Sequence, residues 1–381
     1  MLIFNLFSIL AKLTSLVFKT FNLGSGTTFI SNIYLKFFES KITLKNFSFK
    51  KGIIFVTGTN GKTSTTKIIS QLLENTSHTV LHNETGGNIL RSILGMFMLQ
   101  NKIITKNVYD YLVLEIDEAS VLPFTRIIKP TQLVILNFSR DQLDRYFEIE
   151  NISLELIKVL NSNKKLHLIF NEEDEYCSQI AESVTNEKLA FKKDLQILKK
   201  TNYSEIYMAS NLSAVITLLN SLDIKFIKYE KYLKNLQKPY GRSEKIIKKG
   251  KEFELHLAKN PASFNHNLVE LIKRKNLKHF LIVLNDNVPD GKDISWIYDI
   301  EPELLSELLS KKKLYFSGKR AYEMANRIQY ASDDSKIIHI DINLKKMFYF
   351  IFEKDFNEVI VLCNYSSMLE VRKILTGRRI L

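Results

Sequence analysis

The strongest constraint on this chain is a glycine-bearing loop set between an apolar run and a helix-like stretch. Ile53-Ile54-Phe55-Val56 leads into Thr57-Gly58-Thr59-Asn60-Gly61-Lys62-Thr63-Ser64, and Thr65 to Leu73 continue at helical spacing. Strand, loop and helix in that order aim backbone N–H groups at an anion, and the helix dipole reinforces them. Gly58 and Gly61 keep side-chain bulk away from the phosphates; Lys62 adds a point charge, and the Thr63 hydroxyl can ligate Mg²⁺. Thr59, Asn60 and Ser64 complete the nucleotide-side candidates. The strict pattern G-x-x-x-x-G-K-[ST] asks for glycine where the chain has Val56, so the loop is a variant of the pattern or a chance match to it.

Further apolar runs stand at Tyr111 to Glu115, Leu133 to Asn137 and Leu166 to Asn171, with helix-length segments between them. Such alternation predicts an α/β fold: a mostly parallel sheet covered by helices on both faces. A Lys-rich change of composition from Asp223 to Lys238 leads to Pro239-Tyr240-Gly241-Arg242. A smaller α/β set then runs through Phe280 to Leu284, Leu314 to Phe316, Ile337 to Ile340 and Val359 to Cys363. The expected domains are therefore 1–230 and 231–381.

A net charge of +13 could suit nucleic acid, but the lysines are scattered rather than gathered in a stripe, and no nucleic-acid partner is expected. With 2 cysteines in 381 residues the chain cannot build a disulfide framework, which suits a reducing, cytoplasmic setting. Met1 to Asn22 is apolar but interrupted by Lys12 and Lys19, too short a run to span a membrane and without the basic start of a secretory signal. Leu6, Leu10, Leu13 and Val17 recur at helical spacing. This segment reads as an amphipathic helix, either packed on its own domain or lying at the inner membrane face.

Mg²⁺ needs a hard oxygen ligand opposite the phosphates, commonly at the end of a neighbouring strand. Glu115 closes the run Tyr-Leu-Val-Leu-Glu and is the candidate, with Asp117 and Glu118 beside it as either site acids or solvated loop acids. A third cluster, Asn137-Phe138-Ser139-Arg140-Asp141-Gln142-Leu143-Asp144-Arg145-Tyr146, follows another strand, where doubly wound sheets place their ligands. Asn137, Arg140 and Asp141 join the nucleotide-side candidates, as do Asn171 and Arg242.

Taken together these clusters resemble the Mur ligase superfamily, whose ATP loop reads Gly-Thr-Asn-Gly-Lys-Thr as Gly58 to Thr63 do here. Within it the chain is most similar to the MurT family, the ligase subunits of lipid II isoglutaminyl synthases. Arg140 to Tyr146 carry that family's Arg-Asp-Gln-Leu-Asp-Arg-Tyr, with Gln142 where other Mur ligases tend to have histidine. Tyr240 to Glu244, Lys259 to Ala262, Asn285 to Asn287, Asp290 to Asp299, Ser317 to Ala321 and Tyr365 to Leu369 extend the likeness through the C-terminal half. Two departures stand out. The four-cysteine zinc ribbon common in that family is represented after Asn171 only by Cys177, so no zinc site is expected, and Lys158 lies near but not on the spacing of the carbamylated lysine.

The resemblance implies a Mur ligase-type ATP-binding central domain and ATP- and Mg²⁺-dependent amidation of the α-carboxyl of D-glutamate in lipid II. It also implies a GatD-like glutamine amidotransferase partner in a heterodimer, its catalytic triad completed by an aspartate of this chain. Asp293 and Asp299 are the candidates, against a reading of both as loop-capping acids. Lys62 and Glu115 are the other residues assigned to the chemistry. Neither Cys177 nor Cys363 lies in a glycine-flanked elbow, so this chain supplies no glutaminase nucleophile of its own. The alternatives are a stand-alone Mur-type ligase of the folylpolyglutamate kind and a non-catalytic scaffold. Gln142 and the Asp290 to Trp296 block argue against the first, and intact Lys62, Thr63 and Glu115 against the second.

Overall fold

The computed structural model describes every residue except 1, 21–25, 39–41, 43, 84–86, 139–145, 204, 288–289, 332–336 and 378–381, with only the backbone described at 19, 27 and 146–149. The chain divides into two compact units, residues 1–138 with 147–237 and residues 238–380.

The N-terminal unit begins with α1 (Leu2–Thr20), α2 (Thr27–Phe38), β1 (Phe47–Thr57), α3 (Lys62–Asn75), β2 (Val80–His82), α4 (Leu90–Gln100) and β3 (Asn107–Glu115). It continues through α5 (Val121–Thr125), β4 (Gln132–Ile135), α6 (Tyr146–Ser162), β5 (His167–Asn171), α7 (Glu175–Glu182), β6 (Lys188–Phe191) and α8 (Tyr207–Ser221). Among the described residues its six strands are all parallel in the order β2-β3-β1-β4-β5-β6. Alternate side chains serve opposite faces, as the two-residue period of a strand requires. Phe55, Leu112, Leu114, Leu133 and Leu168 join one core, and Ile54, Val56, Val113, Val134 and Ile169 the other. This double burial is why the strands read as unbroken apolar runs.

Leu6, Leu10, Leu13 and Val17, the row that marked the first helix, are not what packs. The face of α1 turned inward carries Phe4, Ser8, Ala11 and Ser15, and the leucine row is exposed. Small residues let α1 sit close to its neighbours: Asn101 donates to Ser8 Oγ at 3.0 Å, and Phe4 meets Tyr34 of α2 edge-on at 5.9 Å. The apolar row is thus left facing outward.

The C-terminal unit has β7 (Arg242–Lys248), β8 (Lys251–Leu257), α9 (Pro261–Leu271), β9 (His279–Val283), α10 (Pro302–Lys311) and β10 (Lys313–Ser317), followed by α11 (Ala321–Gln329), β11 (Ile337–Asp341), α12 (Leu344–Phe352), β12 (Glu358–Cys363) and α13 (Tyr365–Thr376). Strand order is β11-β10-β9-β12-β8-β7, parallel throughout except for β7, which pairs antiparallel with β8. The hairpin between β7 and β8 turns on Lys249 and Gly250, both at positive φ, the conformation a two-residue loop needs to match strand twist. Helices again cover both faces.

Candidate active site

In the N-terminal unit β1 is flanked by β3 on one side and β4 on the other, so the strand order reverses direction at β1. Open α/β sheets bind ligands outside the carboxyl ends of their strands at such a point. Val56 is in register with Glu115 on one side and Val134 on the other, which brings the ends of β1, β3 and β4 to one place.

The loop from Gly58 to Gly61 leaves β1 and enters α3 with Thr65 N donating to Gly61 O at 2.9 Å. Both glycines are required. Gly58 has φ 126°, and a methyl group on it would come within 2.9 Å of Asn137 N. Gly61 has φ 90°, and its methyl would come within 2.3 Å of Asn211 Oδ1. Asn137 holds the loop from the end of β4: Thr59 N donates to its carbonyl at 2.9 Å, Asn60 N to its Oδ1 at 3.0 Å, and its Nδ2 donates to Asn60 O at 3.0 Å. The loop backbone is therefore fixed before any ligand arrives.

Lys62 opens α3 and is only 6% exposed. Its ammonium donates to Gly58 O at 2.5 Å and pairs with Glu118 at 3.3 Å. A buried cation needs such partners to offset lost hydration. Thr63, half-buried, and Ser64, buried, follow in the first turn of α3.

Glu115, 4% exposed, ends β3. Asn83, one residue past β2, clamps its backbone: Glu115 N donates to Asn83 Oδ1 at 2.9 Å, and Asn83 Nδ2 donates to Glu115 O at 2.8 Å. The chain then turns, Ile116 N donating to Val56 O at 3.0 Å, and carries Glu118 back to Lys62. Glu118 thus meets the lysine from beyond the end of β3.

Asn171 ends β5, with Nδ2 donating to Leu136 O at 3.1 Å and Oδ1 accepting from Glu173 N at 3.1 Å, so both its polar atoms serve the sheet edge. Asp174 caps α7 and accepts from Phe138 N at 2.9 Å. Arg140 and Asp141 lie outside the described residues. Lys158 is exposed on α6.

The donor set suits a nucleotide and its metal. Backbone N–H groups start a helix of 14 residues, glycines leave the approach open, and one lysine, one hydroxyl and one carboxylate border it. Asn83 and Asn211 are the residues the sequence alone does not reveal, whereas Glu118 stands in the acid cluster that the sequence marks. The only sequence sign of the two asparagines is position, just beyond a strand or inside a helix far along the chain.

In the C-terminal unit the motif residues also gather at strand ends. Asn285, past β9, accepts from Lys319 N at 3.0 Å, and Asn364, past β12, donates to Asn285 O at 2.6 Å. Asp290 accepts from Ser366 N, the start of α13, at 2.9 Å, and burial pushes its carboxyl above the ordinary value. Arg242 starts β7 opposite His256 of β8, and Asn260 is wholly buried as the cap of α9. Asp293 accepts from Ser295 N and Oγ, both at 2.8 Å, just ahead of the short helix Ser295–Asp299, at whose far end Asp299 is exposed.

Residues 56–230 match the Mur ligase middle domain, and residues 257–368 match the MurT ligase C-terminal family. Solved Mur ligases share its fold: MurF from Acinetobacter baumannii superposes with a TM-score of 0.66 at 14% identity, covering 87% of this chain and 76% of that one. MurF ligase from Thermotoga maritima in complex with ADP gives a TM-score of 0.61 at 16% identity, covering 91% and 82%. In sequence the chain is similar to subunit MurT of the glutamine-hydrolyzing lipid II isoglutaminyl synthase. The Staphylococcus aureus COL protein is 28% identical over 75% of this chain and 79% of its own length. The Streptococcus pneumoniae R6 protein is 26% identical over 94% of both.

Proposed function

We propose that this chain is the ligase subunit of a two-protein enzyme of peptidoglycan synthesis that amidates the α-carboxyl of D-glutamate in the lipid II stem peptide, giving D-isoglutamine. The observation that carries this reading is the joining, in one polypeptide, of a Mur ligase middle domain to a MurT ligase C-terminal domain.

A carboxylate is a poor acyl donor because oxide is a poor leaving group. ATP transfers its γ-phosphoryl group to the carboxylate and leaves as ADP; ammonia then attacks the acyl carbon, the C–O bond to phosphate breaks, and the nitrogen loses a proton as inorganic phosphate departs. This chain's part is positional and electrostatic. The N–H groups of Gly58 to Ser64, held by Asn137, would receive the phosphates, Lys62 would exchange its pairing with Glu118 for phosphate oxygens, and Thr63 and Glu115 would hold Mg²⁺, which would neutralise phosphate charge. Asn171, Arg140 and Asp141 would complete the nucleotide side.

The nitrogen comes from a GatD-like partner that hydrolyses glutamine. Cys177 and Cys363 are both buried, and burial, with Asp174 near the first and Asp290 and Glu244 near the second, pushes each thiol well above the ordinary range. Neither offers a thiolate at neutral pH, which supports an external glutaminase. Asp293 or Asp299 completes the partner's triad. The test is co-expression with a candidate amidotransferase and mass spectrometry of lipid II supplied with glutamine and ATP. Conversion of carboxylate to carboxamide supports the reading, and unchanged lipid II from a well-folded, nucleotide-binding complex overturns it.

A further inference from the structure

The outward face of α1 is more apolar than the face it packs with. Leu6 is 53% exposed, Leu13 56% and Leu16 65%, with Leu2, Leu10 and Val17 beside them, while the inward face carries two serines. At 3.6 residues per turn these side chains occupy about a third of the helix circumference. An arc that wide is not the scattered exposure of single apolar residues.

Charge marks what covers it. α1, α2, α4 and the loop 101–106 pack together and contain no aspartate or glutamate, but do contain Lys12, Lys19, Lys36, Arg91, Lys102 and Lys106. Asn101 ties the loop to the Lys12 edge of α1: it donates to Asn5 Oδ1 at 2.9 Å, and Lys12 Nζ donates to its carbonyl at 2.7 Å. The loop itself, Lys102-Ile103-Ile104-Thr105-Lys106, bears Ile104 at 98% exposure between two exposed lysines. Apolar side chains rimmed by lysines suit an anionic bilayer surface, the chains entering the acyl boundary while the ammonium groups meet headgroup phosphates. No helix among the described residues is long and apolar enough to cross a membrane, so the helix would lie in the surface.

We infer that the α1 face and the Lys102–Lys106 loop form a docking surface for the anionic lipid bilayer. This rests on the proposed reading of a lipid-linked substrate and assigns the surface that brings the enzyme to it. A second copy of the chain would place lysines against lysines, which the all-basic rim disfavours.

The test is co-sedimentation of the full chain, with its partner, on phosphatidylglycerol and on phosphatidylcholine vesicles, without ATP. The docking surface predicts binding to phosphatidylglycerol that weakens with salt and is much lower on phosphatidylcholine. Leu6→Gln/Leu13→Gln should weaken it at least about tenfold while circular dichroism and amidation of detergent-dispersed lipid II stay as in the wild type. Lys102→Gln/Lys106→Gln should weaken it less and flatten the salt dependence. Absence of vesicle binding overturns the inference, as does wild-type binding by the leucine variant. A wild-type dimer that the leucine variant dissociates, with no vesicle binding, assigns the face to a second copy and also overturns it. Because the vesicle arm needs no catalysis, its failure leaves the amidation reading standing, and inactivity on dispersed lipid II leaves the docking surface standing.

Discussion

Gly61 lies at φ 90° where α3 begins, and a methyl group on it would come within 2.3 Å of Asn211 Oδ1. Gly61→Ala therefore carries two separable costs. A left-handed backbone costs an L residue about 1–2 kcal/mol, and forcing a methyl group into packed surroundings costs about 1–3 kcal/mol. Asn211 is 4% exposed within α8, so it cannot swing into solvent to make room. The sum, about 2–5 kcal/mol, lowers the melting temperature of the N-terminal unit by roughly 4–20 °C. Asn211→Ala removes the clash but not the backbone term, so a double-mutant cycle should return a favourable coupling of about 1–3 kcal/mol. Thermal unfolding of the four proteins measures it, and titration with a fluorescent nucleotide follows the site. Melting of Gly61→Ala at the wild-type temperature with unchanged nucleotide affinity, or a coupling of zero, would refute this account of the loop.

Lys62→Ala should abolish ATP hydrolysis and amidation while circular dichroism stays native; normal turnover by that variant would mean the phosphate loop is misassigned. Asp293→Asn and Asp299→Asn, made singly, should identify the triad aspartate: the correct one stops glutamine-driven amidation but leaves ammonium-driven amidation intact, and loss of both would place the residue in the ligase site. His279 stacks on Phe356 at 3.7 Å between ring centroids, and burial, then Lys313, Lys278 and Lys251, bring its pKa down from 6.5 to about 4. A histidine held neutral on folding binds fewer protons folded than unfolded, so its contribution is complete above pH 6.5 and is lost as pH falls toward about 4. Urea unfolding of the C-terminal unit across that window should show this loss, and His279→Phe should remove it; an unchanged slope in the variant would assign the acid limb to other groups.

The central parallel strands are legible in the amino-acid sequence because each is buried on both faces and so appears as a continuous apolar run, as in Ile53 to Val56 and Val359 to Cys363. β7 and β8 are not. Arg242-Ser-Glu-Lys-Ile-Ile-Lys248 is an edge strand with polar residues on both sides, and its turn uses Lys249 at φ 50° rather than an Asn-Gly pair. β2, three residues long, is too short for its period to register. At the site the phosphate loop is legible because its chemistry is local, carried by consecutive residues from Gly58 to Ser64. The residues that fix it are not local: Asn137 is 77 positions from Asn60, Asn83 is 32 from Glu115, and Glu118 is 56 from Lys62. Helical spacing identifies α1 correctly but gives no sign of which face is covered, since small serines and Phe4 pack inward while the leucines face out.

The most direct measurement follows the nitrogen. The chain is incubated with lipid II, ATP and amide-¹⁵N glutamine, alone and with the proposed amidotransferase partner, and the stem peptide is analysed by mass spectrometry. Labelled carboxamide only when both proteins are present is the predicted result. Label incorporated by this chain alone, or amide formed in the full complex without ATP, would contradict it.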